Sequence, residues 1–367
     1  MKAMVVGGGS MGKRRLRDLC HLLSNNVILL EANPARCREV SEKFNIKGYT
    51  RLEDALEQKP QLMAVSTPPA LHEQYVRMAL EQKIHVFAEL PFVLDVNALA
   101  DIARQALGRG VVLGVSATIR FYPPFEVIRK VLRDGRIGKP LYLEYSLGNH
   151  LAEWHPYEDY RKFYASDVKL GGAGMDMILH ELAAIYWWMG DIASLTGRLS
   201  KVSSLEIAGP DTHDVLLTFR SGCKGYFHHD IIERNTIGRH IRIVGEEGTI
   251  EWDQNQPTIR LFTTTAQKDE QLPFDSAPGW SEALTASGEM TAILAAQTAA
   301  SGKIPSAKSA NYTYESNYLR EMRHFVEAAR GEHPYSISTI DEELKNVRAF
   351  HAIVQSSESL KETKLEN

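Results

Sequence analysis

Cysteine is scarce and unpatterned in this chain: Cys20, Cys37 and Cys223 are the only three in 367 residues, an odd number with no CxxC spacing. That excludes a disulfide framework and a cysteine-built zinc site. HELAA at 180–184 places alanine where the second histidine of an HExxH zinc motif would stand. His228 and His229 are neighbours on an alternating strand, point to opposite faces and cannot ligate one metal, so no metal is expected. Long apolar runs are missing: none approaches the eighteen or so residues a membrane helix requires, and the opening stretch KAMVV has no signal-peptide character. Neither charge sign dominates. A formal net charge of −4 offers no general attraction for nucleic acid or an anionic membrane. The expectation is a cytoplasmic protein with a small-molecule substrate, no nucleic acid and no membrane. The KRRLR cluster at 13–17 reads as a solvated helix face near phosphate rather than a DNA patch.

What is present is an ordinary globular composition, 44% hydrophobic and 24% charged. The length favours two domains. From 1 to about 118, apolar strands (KAMVV, VILLE, LMAVS, IHVFA, VVLGVS) alternate with segments of helical periodicity at 11–23, 34–44, 51–57, 69–82 and 95–107, which predicts a doubly wound parallel sheet. After Pro123-Pro124 come a helix near 124–133 and a series of alternating strands, the pattern of a mostly antiparallel sheet with one helix-covered face. The fold class is therefore α/β plus α+β, with a Rossmann-type doubly wound domain over 1–120 and an α+β domain over 121–367 whose last helix can return to the first. A helix is expected from Met175 to Met189, and two close the chain at about 314–329 and 341–360. Residues 264–312 show no clear periodicity and read as a long connection.

The sharpest local signal is GGGSMG at 7–12, which follows an apolar strand and opens a helix. Gly7 permits the tight turn, Gly9 admits a pyrophosphate to the backbone, and Gly12 lets helix and strand pack closely. The N–H groups at the helix start, from Ser10 and Met11 onward, favour phosphate. Glu31, nineteen residues past Gly12, ends the second strand, where a carboxylate accepts ribose hydroxyls and repels a 2′-phosphate. NAD is favoured over NADP, with Arg36 leaving some room for the latter. Ligands of such sheets sit beyond the carboxyl ends of the strands, which adds Ser66, Thr67, Pro68, Glu89 and Leu90 to the same edge.

In the second domain Asp176 and His180 lie four residues apart and share a helix face, a spacing suited to a general base and its orienting carboxylate. A satisfied structural pair has the same spacing. Trp154, His155, Tyr160 and Arg161 gather aromatic and hydrogen-bonding groups of the kind that bind a sugar ring, or that simply pack a loop.

Together GGGSMG, Glu31, STPPALH (66–72), AELPF (88–92), TIRFYPPF (118–125), GGAGMDMILHELAAIYWWMG (171–190), IVGEEGTIEWD (243–253) and YESNYLREMRHFVEAARG (314–331) resemble the Gfo/Idh/MocA oxidoreductase family over nearly the whole chain. The resemblance implies a nicotinamide cofactor, sugar-like or cyclitol substrates, and homodimers or homotetramers built through the outer face of the second sheet. It matches Asp176 and His180 to the catalytic pair and brings His72 and Arg120 into the cofactor set. One departure stands out: the usual Glu-Lys-Pro motif is Glu89-Leu90-Pro91, and leucine can neither hold a hydroxyl nor carry its proton. Three readings follow: a sugar dehydrogenase with His180 as acid/base, an NAD-dependent glycoside hydrolase working by transient oxidation and elimination, and a non-catalytic dinucleotide-binding regulator.

Overall fold

The computed structural model describes residues 1–154, 159–172, 174–234, 238–301 and 313–365. The chain forms two compact units, Met1–Tyr122 with Ser281–Leu344 and Pro123–Trp280 with Lys345–Asn367. The sequence suggested a single cut near 120. The chain instead passes between the units three times, because the segment 281–344 carries apolar side chains that complete the first core.

In the first unit the elements run β1 (Ala3–Val6), α1 (Ser10–Leu22), β2 (Val27–Leu30), α2 (Pro34–Phe44), β3 (Lys47–Tyr49), α3 (Leu52–Leu56), β4 (Leu62–Val65), α4 (His72–Glu81), β5 (His85–Ala88), α5 (Val96–Ala106) and β6 (Leu113–Val115). The six strands are parallel in the order β3-β2-β1-β4-β5-β6. β1, β2 and β4 are buried throughout, as unbroken apolar runs require when helices cover both faces. The order reverses between β1 and β4, which opens the ligand crevice at their carboxyl ends. Asn33 caps α2 by accepting from the Ala35 and Arg36 N–H groups, and Pro34 supplies a preset first turn.

The KRRLR cluster departs from expectation. Arg15 is 0% exposed and Arg17 is buried as well. Arg15 stands four residues before Leu19, on the packed side of α1, and its charge is met inside the protein by carboxylates.

The second unit begins with α6 (Pro123–Arg133), β7 (Pro140–Gly148), α7 (Leu151–Trp154) and α8 (Met175–Met189). Its strands continue as β8 (Ile192–Ser200), β9 (Thr212–Phe219), β10 (Lys224–Asp230), β11 (Gly238–Gly245), β12 (Gly248–Asp253), β13 (Thr258–Thr263) and β14 (Lys268–Pro273). In chain order there follow α9 (Trp280–Ser301) and α10 (Ser316–Ala329), which from Ser281 belong to the first unit, then α11 (Ile340–Ser359) and β15 (Thr363–Lys364), which from Lys345 belong to the second. The sheet is nine-stranded, in the order β14-β13-β12-β11-β7-β10-β9-β8-β15, with only the β7–β10 pair parallel. Tyr145, Phe227, Val215 and Ile241 line its buried face. Helices α6 and α8 cover that face through the rings of Phe125 and Trp188, and α11 through Ile353 against Gly197.

Residues 264–312 are not a bare connection, since they contain β14 and the 22-residue α9. Among the α9 residues whose burial is described, Ala283, Ala286, Ser287 and Met290 are buried. Small side chains on its inner face make that face hardly more apolar than the outer one, so the helical period is weak in the sequence. By contrast α10 buries Leu319, Met322, Phe325 and Val326, and Phe325 meets Phe87 of β5 at 5.6 Å between ring centroids.

Candidate active-site residues

The glycine turn is built by three different steric demands. Gly7 has φ +96°, and a Cβ there would lie 2.7 Å from the Ser66 carbonyl oxygen. At Gly12 a Cβ would fall 1.8 Å from the Gly7 oxygen. At Gly9 it would meet nothing within 4 Å, the open approach a pyrophosphate needs. Ser10 begins α1, and its Oγ accepts from Arg14 Nη1 at 3.0 Å, with Met11 Sδ 3.6 Å from the same nitrogen.

Glu31 follows β2 and is held before any ligand arrives. Its Oε2 accepts from the Gly8 N–H at 2.8 Å and its Oε1 from the Asn33 N–H at 2.8 Å. Each oxygen keeps a lone pair for a ribose hydroxyl. Arg36 Nη1 lies 3.8 Å from Oε2 on a half-exposed side chain.

At the end of β4 the hydroxyls of Ser66 and Thr67 are buried and have no hydrogen-bond partner among the described residues, as suits groups awaiting a polar ligand. Pro68 starts the turn into α4, where His72 is fully buried. Beyond β5, Glu89 is gripped by Arg15 through Nε at 2.6 Å and Nη2 at 3.0 Å. Arg15 also meets Glu321 of α10 at 2.8 Å, and Glu321 accepts from Thr118 Oγ1 at 2.6 Å and from the Ala117 N–H at 2.5 Å. Leu90 is 3% exposed and brings no charge. Arg120 is likewise engaged within the unit, pairing with Glu342 at 3.1 and 3.2 Å and donating to the Ile337 carbonyl. Glycines, open space and unpartnered hydroxyls thus fit a dinucleotide along this edge. Arg15 and Glu321 were not evident as part of it; the legible signal was the shared spacing of Arg15 with Leu19 on the packed stripe of α1.

In the second unit α8 starts after Gly174, whose φ is +82° and where a Cβ would lie 2.8 Å from His229 Cε1. Asp176 and His180 stand one turn apart on this helix, as their spacing requires. His180 is half-buried, while the adjacent Glu181 is 0% exposed. Glu181 accepts from Arg239 Nη2 at 2.7 Å and from the Tyr145 hydroxyl. Beneath the start of the helix, His213 and His229 bring their Nδ1 atoms to 3.2 Å, and burial pushes the His229 pKa well down.

Of the aromatic patch, Trp154 and Tyr160 pack against a small core of Leu151, Ala165 and Ile231. The Tyr160 hydroxyl accepts from the Glu206 N–H at 3.1 Å, and Arg161 pairs with Asp159 at 2.8 Å and Glu206 at 3.2 Å. His155 lies outside the described residues. Among the described residues no cluster of three or more potential ligands could hold a metal ion, and no helix is long and apolar enough to cross a membrane.

Comparison with known proteins places the chain in a family. A D-apiose dehydrogenase of Paraburkholderia graminis is 24% identical over 268 residues, spanning 71% of this chain and 67% of its own. A 2,7-anhydro-N-acetylneuraminate hydratase of Mediterraneibacter gnavus is 24% identical over 187 residues, 51% of this chain and 48% of its own. The structure of a levoglucosan dehydrogenase in complex with NADH superposes with a TM-score of 0.81 at 16% identity, covering 100% of this chain and 99% of that one. Residues 1–117 match the model of the oxidoreductase family with an NAD-binding Rossmann fold, and residues 125–251 match the GFO/IDH/MocA C-terminal domain. The chain is an NAD-binding oxidoreductase of the Gfo/Idh/MocA family.

Proposed function

We propose that the enzyme moves a hydride between a hydroxyl of a sugar or sugar derivative and the nicotinamide, with His180 transferring the hydroxyl proton and Asp176 orienting the imidazole. The observation that carries this reading is the contrast on α8. Glu181 is sealed and held by Arg239 and Tyr145, while its neighbour His180 keeps access to solvent. The buried carboxylate anchors the helical turn, and the imidazole it presents is free to meet a substrate. Bound NAD supplies the hydride acceptor; His180 accepts the alcohol proton as the carbonyl forms and returns it in the reverse direction. On the cofactor side Glu31 receives the ribose hydroxyls, and the start of α1 receives the pyrophosphate. Trp154, His155, Tyr160 and Arg161 are the residues assigned to the sugar. The two sugar-acting dehydrogenases among the relatives support the substrate class.

His180→Ala is expected to lower turnover by roughly 10²–10⁴-fold with NADH binding retained, the scale of losing a general base. Turnover within a few-fold of wild type would remove His180 from the mechanism. The assay is a screen of free, phosphorylated and nucleotide-linked sugars, following 340 nm absorbance together with product analysis. A second reading, transient oxidation followed by elimination with the hydride returned, is favoured by Leu90 and by the hydratase relative. Product formed with no net absorbance change would select it. The open face of the second sheet, where Leu216 is 59% exposed, is assigned to a homo-oligomer interface.

A further inference from the structure

His72 is 0% exposed, too deep to touch a cofactor, yet both of its ring nitrogens are committed. Nδ1 lies 2.8 Å from the Pro91 carbonyl oxygen and Nε2 lies 2.8 Å from the Thr67 carbonyl oxygen. These two carbonyls belong to the segments that follow β5 and β4, neighbouring strands whose ladder runs to the Val65–Ala88 pair. The Glu89 N–H still reaches the Val65 carbonyl at 3.2 Å; past it, the two chain segments diverge. We propose that His72 is a positioning residue for the cofactor: its imidazole joins these diverging segments through Thr67 and Pro91, and so fixes the edge that carries Ser66, Thr67, Glu89 and Leu90.

A carbonyl oxygen only accepts and the neutral imidazole carries one N–H, so the ring donates to one of the two carbonyls at a time, and to both only when protonated. Asparagine and glutamine place both N–H groups on one nitrogen with an acceptor oxygen opposite, and phenylalanine fills the volume without donating. Burial holds the imidazole pKa below its ordinary value, outweighing the Thr67 and Pro91 carbonyls and the Glu89 carboxylate, which act in the opposite sense. The ring starts α4, so it also registers that helix against the two segments. A further tie acts beside it, from the Phe92 N–H to Glu343 Oε1 at 2.9 Å.

The inference rests on NAD binding, which the wild-type titration establishes separately. Full-length wild type, His72→Phe and His72→Ala are titrated with NADH, reading the fluorescence of the bound dihydronicotinamide, with circular dichroism as the check on folding. His72→Phe is expected to fold and to bind NADH about tenfold more weakly or worse, the loss of one to two buried hydrogen bonds. Added imidazole should restore affinity to His72→Ala, and 1-methylimidazole, with one nitrogen blocked, should not. Wild-type affinity in His72→Phe overturns the proposal. So does equal rescue by the two imidazoles, which would make His72 a filler of space. If His72→Phe fails to fold, the rescue comparison on His72→Ala decides.

Discussion

Arg15 holds a full charge at 0% exposure because Glu89 and Glu321 both close on its guanidinium. Desolvation disfavours that charge, but the two carboxylates outweigh it and hold the group above the ordinary arginine range. Its Cζ also lies 4.5 Å over the centroid of the Phe87 ring. The pairing joins α1, the end of β5 and α10, which is why the cofactor edge needs a residue far along the chain. Removing the arginine would leave two largely buried carboxylates without their shared cation. Arg15→Met is therefore expected to destabilise the protein by about 3–5 kcal/mol in urea unfolding. Substituting Glu89→Gln and Glu321→Gln together in that background should recover part of the loss.

At the scale of elements, β10 shows how strand alternation separates two histidines of opposite character. His229 faces α8 in the core, where burial keeps it neutral. His228 faces the other way and sits between Asp230 at 3.0 Å and Asp214 at 2.8 Å. These hydrogen bonds raise its pKa to about 9. The folded state thus binds a proton that the unfolded chain releases near pH 6.5. This contribution is fully present below pH 6.5 and is lost as pH rises through 9. Thermal melts are expected to show roughly 2 kcal/mol of lost stability over that window, and His228→Gln to remove most of the dependence. Equal pH dependence in both proteins would rule out this site. The alternation of β10 was readable from the sequence because a strand has period two; α9 was not, because alanine and serine on its inner face leave no contrast to detect.

For the whole molecule, the nine-stranded sheet has α6, α8 and α11 on one face, while Leu216 and Arg242 stand exposed on the other. Leu216 pairs with Tyr226 across β9 and β10 and with Thr196 across β8, on the third strand from the β15 edge of that face. If copies of the chain meet there, Leu216→Arg places a desolvated charge at the interface and shifts sedimentation toward the monomer. An unchanged sedimentation coefficient would move the interface elsewhere. The division of the chain belongs to the same scale. Segment 281–344 joins the first unit because Phe325, Met322 and Val326 fill its core, a fact set by packing between distant segments rather than by any local break in composition.

Local periodicity and turn chemistry were enough to determine the two sheets, the glycine turn, Glu31 at the end of β2 and the span of α8, since each depends on residues a few positions apart. Family membership also followed from motif order along the chain. Long-range pairing was decided only by the tertiary structure. It buried Arg15 and Arg17 in a cluster that reads as a solvated face, turned His72 inward onto two carbonyls, sealed Glu181 while leaving its neighbour His180 accessible, and drew 281–344 back to the first unit. For the first three the reason is shared: a charge or imidazole inside a protein is tolerable only where partners meet it, and Arg15, His72 and Glu181 draw theirs from distant segments through Glu89 and Glu321, Pro91, and Arg239. For the fourth it is the burial of Met322, Phe325 and Val326 in the first core.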